Sequence, residues 1–161
     1  MTLRLDHPTM LDMLGLLFTL DEDESEQLGA LGNTGIDHET MAMAFYTSPG
    51  PKICMRDEEG KAAVVTGIRR ARNGVGETWF FTAPGAWKKH GREITERMIE
   101  LRKDMMGSGW HRLETYCLAS RDRARRWYDT IGLTYETTLR QYGANGEDFV
   151  LYVTVKEPTG D

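Results

Sequence analysis

The sequence predicts an α/β protein built on a single mixed central sheet with helices on both faces. Three observations carry that prediction. The 161 residues amount to one domain of chain, with no repeat or linker to divide them. Between residues 52 and 82, three strand-like runs follow one another across tight turns, the pattern of an antiparallel meander. Between residue 77 and about residue 142 strands alternate with helical periods, which predicts a parallel centre to the sheet.

Taken in order, Thr2 to Leu5 reads as a short strand. Asp6-His7-Pro8 supplies a cap and a first-turn proline for a helix whose apolar positions Met10, Leu11, Leu14, Leu17 and Phe18 keep the helical period. An acidic run from Asp21 follows, broken by Gly29, Gly32 and Gly35. Residues 37–47 predict a second helix, capped by Asp37, carrying Met41, Ala44 and Phe45, and ended by Pro49-Gly50-Pro51. Lys52 to Arg56, Lys61 to Arg70 and Glu77 to Thr82 are the meander strands, turned at Asp57–Gly60 and Asn73-Gly74. After Pro84-Gly85, residues 88–106 form the longest helix, and its stripe Ile94, Met98, Leu101, Met105 predicts the core-facing side. Gly107 and Gly109 stop it. Trp110 to Ala119 is a strand, Ser120 caps a short helix to Ile131, and Gly132 ends that helix. Leu133 to Tyr142 and Phe149 to Val155 close a hairpin around residues 143–146. The order is thus strand, two helices, three strands, helix, strand, helix and two strands. The domain occupies residues 1–156, with 157–161 as a frayed tail.

Composition narrows the function classes. Hydrophobic residues at 40% with 28% charged residues fit an ordinary soluble globular protein. Two cysteines, Cys54 and Cys117, cannot build a disulfide scaffold, and both read as reduced packing residues of a cytoplasmic protein. The longest apolar stretch, Met13 to Phe18, is too short to cross a bilayer, and no leader pattern precedes it. Residues 1–60 carry 3 Lys/Arg against 12 Asp/Glu, whereas residues 61–161 carry 17 against 13. That split suits a polyanionic ligand at one side and a cationic one at the other, or two solvated faces. Net charge of −5, with Glu93, Glu96, Glu100 and Asp104 interleaved in the basic long helix, argues against nucleic acid. His7, His38, His90 and His111 show no zinc spacing, so no metal is expected. Neither a nucleophile elbow nor a Walker loop is present.

The most specific local pattern is Arg121-Asp122-Arg123-Ala124-Arg125-Arg126-Trp127-Tyr128-Asp129-Thr130-Ile131-Gly132-Leu133. It resembles the N-x-x-A-x-x-x-Y-x-x-x-G-F turn of the GCN5-related N-acetyltransferases (GNAT), whose element order the whole chain also follows. Ala124, Tyr128 and Gly132 fall on the pattern, Leu133 replaces Phe, and Arg121 stands where many members carry an Asn against the pantetheine arm. Ala124 and Tyr128 share a helix face, so a small residue leaves room beside the phenol. The resemblance implies an acyl-CoA N-acyltransferase-like fold, acetyl-CoA as donor, an amine as acceptor, and Tyr128 as the acid that protonates the departing thiolate. Read alone, Tyr128 is more simply a buried tyrosine whose hydroxyl finds a partner.

By the same resemblance, Glu77 on the fourth strand is the candidate general base, acting through a water, though read alone it is more simply an exposed strand-start Glu. The Phe81 and Thr82 backbone would pair with the pantetheine amides. The diphosphate loop aligns with Trp87-Lys88-Lys89-His90-Gly91-Arg92, where the glycine is displaced and a small residue has become Arg92. Two readings follow. Lys88, Lys89 and Arg92 bind the diphosphate by charge, or His90 and Arg92 crowd the nest and coenzyme A use is lost. Trp79-Phe80-Phe81-Thr82, Trp87 and the basic helix also resemble acetyltransferase-like proteins of short-tailed phages, which gives the second reading the form of a non-catalytic structural or binding protein. A module that binds acetyl-CoA without turnover is a third form. The acidic N-terminal half favours a cationic acceptor, small molecule or protein, and a homodimer through the C-terminal strands is common in the resembling family.

Overall fold

Short β-branched and aromatic runs that alternate between two faces build the sheet. In the computed structural model, which describes residues 2–33 and 35–159, seven strands are β1 (Arg4–Asp6), β2 (Lys52–Arg56), β3 (Ala62–Arg72), β4 (Val75–Thr82), β5 (Arg112–Leu118), β6 (Thr134–Leu139) and β7 (Phe149–Val155). They lie in the order β1-β2-β3-β4-β5-β7-β6. Only β4 and β5 run parallel; every other neighbouring pair is antiparallel. The mixed sheet with a parallel centre is as the sequence predicts.

Five α-helices cover it: α1 (Met10–Phe18), α2 (Glu22–Leu28), α3 (His38–Thr47), α4 (Ala86–Gly107) and α5 (Asp122–Thr130), with a π-type turn at Gly29–Asn33. On one face Met13, Leu16 and Leu17 of α1 and Met41 of α3 pack on Cys54, Val65 and Phe81. On the other, Ile94 of α4 packs on Met55 and Val64, and Tyr128 of α5 packs on Cys117, Val150 and Tyr152.

Several boundaries differ from the sequence reading, each for a local reason. Thr9, not Asp6-His7-Pro8, caps α1: its hydroxyl accepts the Asp12 N–H at 3.2 Å while the Asp12 carboxylate accepts the Thr9 N–H at 2.6 Å, a reciprocal capping box. The acidic run is itself a helix, α2, started by the Asp21 side chain on the Glu24 N–H. Helix α4 begins two residues early, behind Gly85, whose φ of 78° is left-handed. Arg121 rather than Ser120 precedes α5, without a side-chain cap. Residues 157–159 of the expected tail carry no regular structure, and 160–161 lie outside the described residues.

The feature that positions the site is the brevity of one seam. β4 and β5 pair only at Val75–Arg112, Gly76–Leu113 and Glu77–Glu114. Beyond those positions the two strands separate.

Candidate active site

Where two parallel strands part, each leaves a row of backbone donors and acceptors that need partners. The last link across the gap is made by side chains, Thr78 Oγ1 to Thr115 Oγ1 at 2.5 Å. Past it, α2 reaches both open edges. Glu24 Oε1 accepts the Thr82 N–H at 3.3 Å and the Thr82 hydroxyl at 3.2 Å. Gln27 Nε2 donates to the Tyr116 carbonyl at 3.1 Å, and its Oε1 accepts the Leu118 N–H at 3.2 Å. Glu24 and Gln27 stand three apart and therefore share a helix face. One turn of α2 thus satisfies β4 with a carboxylate and β5 with an amide.

A cleft of about 1420 Å³ opens here, and Glu24, Gln27, Thr82, Arg121 and Tyr128 all line it. Burial raises the Glu24 carboxyl, Asp21 beside it raises it further, and the Thr82 hydrogen bonds and Arg121 pull the other way, leaving it at about 7. Its Oε2 is buried and has no hydrogen-bond partner. Burial also pushes the Tyr128 hydroxyl far above its ordinary value, with Cys117 as the next cause, so the phenol stays protonated at every working pH. Arg121 is pinned by Asp23 at 2.8 Å and by Gln27 at 2.7 Å. Cys117 is fully buried and its thiol is pushed up to about 11, which keeps it a packing residue as the sequence implies.

The outer end of the cleft is built for an anion. Gly85 turns the chain into α4, and the Trp87 and Lys88 N–H groups have no intrahelical acceptor. Lys88, Arg123 and Arg126 line this end, and none forms an ion pair among the described residues. Phe80, Trp87 and Trp127 form an aromatic wall beside them, with ring centroids 4.9–5.8 Å apart.

The structure brings together Thr82, Trp87, Lys88, Arg121, Ala124 and Tyr128 of the sequence-derived set. It leaves the others outside the cleft lining. Glu77 sits in the paired part of the seam, its carboxylate held by Arg69. The Phe81 backbone faces β3, because the ladder alternates and Thr82 on one side and Ala83 on the other define the phase: Thr82 points its N–H to Glu24, Ala83 to the Ala63 carbonyl. Phe80 and Thr82 therefore own the open edge.

Residues 87–92 are the first turns of α4, which begins at Ala86 rather than at residue 88, and this scatters their side chains around the helix. His90 is buried, one turn from buried Ala86 and Ile94. Lys89 faces the acidic β2–β3 turn. There burial works to raise Asp57, but backbone hydrogen bonds from Lys61 and Glu59 hold its carboxyl low. The Lys61 ammonium holds Glu59 low, and Lys89 adds a smaller pull on both. Arg92 is exposed and pairs with Glu96. A Cβ on Gly91 meets only Trp87, at an ordinary 3.6 Å. Neither His90 nor Arg92 lines the cleft. Glu24, Gln27, Arg123 and Arg126 were missed; the Asp21 cap followed by an acidic first turn was the available signal for the helix that carries the first two.

No protein-family model matches the chain, and no curated protein does. Solved structures share its fold. A ribosomal-protein-alanine N-acetyltransferase from Brucella melitensis is 18% identical, with a TM-score of 0.76 over 96% of this chain and 100% of that one. A GNAT-superfamily phosphinothricin acetyltransferase from Sinorhizobium meliloti, in complex with AcCoA, is 16% identical, with a TM-score of 0.73 over 96% and 89%. A spermidine N-acetyltransferase from Vibrio cholerae is 10% identical, with a TM-score of 0.73 over 95% of each chain. The architecture is that of the acyl-CoA N-acyltransferases.

Proposed function

We propose that this chain is an N-acetyltransferase that moves acetyl from acetyl-CoA to an amine. The observation that carries the reading is the parted β4–β5 edge with the Tyr128 hydroxyl buried beside it and an anion-ready helix start at its mouth. The residues present fit such a donor. The Trp87 and Lys88 N–H groups with Lys88, Arg123 and Arg126 would hold its phosphates, and the Phe80 and Thr82 edge would pair with its amides.

When bound, the thioester supplies an activated acyl carbon and a thiolate leaving group. This chain's residues do the proton work. With a carboxyl near 7, Glu24 accepts the proton that the amine loses as its nitrogen bonds to the acyl carbon. The carbon–sulfur bond breaks, and Tyr128 gives its phenolic proton to the sulfur. Glu24 takes the role that the resemblance implied for Glu77, because Glu24 lines the cleft and Glu77 does not. Asp21 and Glu24 in the cleft lining favour a cationic acceptor. The non-catalytic alternative drew on crowding by His90 and Arg92, and neither lines the cleft. No described helix is long and apolar enough to cross a membrane.

Calorimetric titration of the protein with acetyl-CoA, and with ATP as the anion control, tests the reading. Saturable micromolar binding of acetyl-CoA that ATP does not reproduce is expected, weakened when Lys88, Arg123 and Arg126 are changed to Ala together. No heat at millimolar acetyl-CoA overturns it.

A further inference from the structure

The open edge of β4 is not bare. The Thr82 N–H donates to Glu24 Oε1 at 3.3 Å, and the Thr82 hydroxyl donates to the same oxygen at 3.2 Å. Both bonds are longer than is usual for their kind. Glu24 Oε2 is buried and has no hydrogen-bond partner. The carboxyl group is therefore a poor resident: one oxygen makes two long hydrogen bonds and the other makes none.

A neutral amide carbonyl would serve Thr82 better. It accepts the same N–H, never ionises, and brings no second oxygen to strand. The β5 edge shows the contrast. There the neutral Gln27 amide donates to the Tyr116 carbonyl at 3.1 Å and accepts the Leu118 N–H at 3.2 Å, so both of its polar atoms are used. Arg121 adds a bond to Gln27 Oε1 at 2.7 Å and one to Asp23 at 2.8 Å. These contacts fasten α2 to β5 and to Arg121 without help from Glu24. The Glu24 side chain is free to leave Thr82 while its helix stays docked.

We propose that Glu24 holds the place of a donor amide carbonyl, so that seating the donor transfers the Thr82 N–H from the carboxyl group to the pantetheine arm and releases Glu24 to meet the acceptor amine. This rests on the coenzyme A reading of the cleft and specifies what its Thr82 edge exchanges. No covalent bond changes in the exchange; one hydrogen-bond acceptor replaces another. The base is thereby engaged with the strand while the gap is empty and disengaged when the gap is filled.

The test is calorimetry of the full-length protein with acetyl-CoA at pH 6, where Glu24 is mostly neutral and its charge contributes little. Glu24→Ala removes the competing oxygen and should tighten acetyl-CoA by about two- to tenfold, the net worth of one hydrogen bond. Glu24→Gln keeps an Oε1 for the Thr82 N–H and should bind no more tightly than the parent. Thr82→Val takes away the hydroxyl that also holds Glu24 and leaves the N–H in place. It should shift affinity in the same direction as Glu24→Ala, and it serves if the alanine variant fails to melt cooperatively. Glu24→Ala binding no tighter than the parent, or Glu24→Gln tightening as much as Glu24→Ala, overturns the exchange alone. No binding of acetyl-CoA by the parent overturns the reading of the cleft and this inference with it.

Discussion

Replacing Glu24 by Gln should make the protein more stable and less active, and the stability gain should grow with pH. The carboxyl is lifted from 4.5 to about 7, mainly because it is buried. At ~1.4 kcal/mol per pH unit, that penalises its ionised form by about 3 kcal/mol. The sign follows from proton uptake. Between 4.5 and 7 the folded protein binds the proton more tightly than the unfolded chain, so raising pH through this window costs stability; the penalty is absent below about 4.5 and fully present above about 7. Gln cannot ionise and keeps an Oε1 for the Thr82 amide. At ~2–4 °C per kcal/mol for a chain of this size, Glu24→Gln should melt up to about 10 °C higher at pH 8 and nearly level with the parent at pH 4.5. Thermal melts of both proteins across that range measure the difference, in which the histidines cancel. In parallel, kcat/KM of the parent should rise through pH 7 and the variant should lose that limb. A melting difference that does not change with pH, or a variant that retains the limb, refutes the assignment of Glu24 as a strained base.

Other outcomes follow from the same geometry. Tyr128→Phe should lower kcat by about 10²- to 10⁴-fold while acetyl-CoA affinity, measured by calorimetry, stays within about twofold; equal turnover removes Tyr128 from the mechanism. Gln27→Ala strips partners from the Tyr116 carbonyl, the Leu118 N–H and Arg121, and should cost ~1–3 kcal/mol, read as a lower melting temperature. Gly67→Ala places a Cβ 2.6 Å from Cε2 of Trp79, and should cost ~1–3 kcal/mol by forcing that indole off β3; a melting temperature equal to the parent's would show that the ring has room to move.

The strands and α4 were legible because each buries one face and so carries a period: alternation in Val64 to Ile68, or a stripe beginning at Ile94. The acidic helix α2 was not, because Leu28 is its only buried residue and a seven-residue helix with one buried position has no period to detect. Glu24 and Gln27 were hidden for that reason, although together they satisfy both open strand edges. Glu77 was chosen by position along β4, and position does not tell whether a carboxylate faces the gap or an arginine on the next strand. The stripe of α4 was legible as core-facing, and Ile94, Met98, Leu101 and Met105 all pack against clusters that include sheet residues. His90 shows the converse: the helix predicted from residue 88 already holds it, yet the family pattern laid over residues 87–92 could not tell that its phase turns it inward.

The short seam between β4 and β5 also has a mechanical meaning. Two half-sheets, β1 to β4 and β5 to β7, are joined backbone to backbone at one end and open at the other, in the manner of a clothes-peg whose spring is three residue pairs long. Helix α2 grips both jaws near the tip through Glu24 and Gln27. Anything that binds between the jaws works on the long arm of this lever. Helix α4 backs the seam, packing through Ile94 on Val64 of one half and through Met105 on the Ile68–Trp110–Leu113 cluster that joins the two halves.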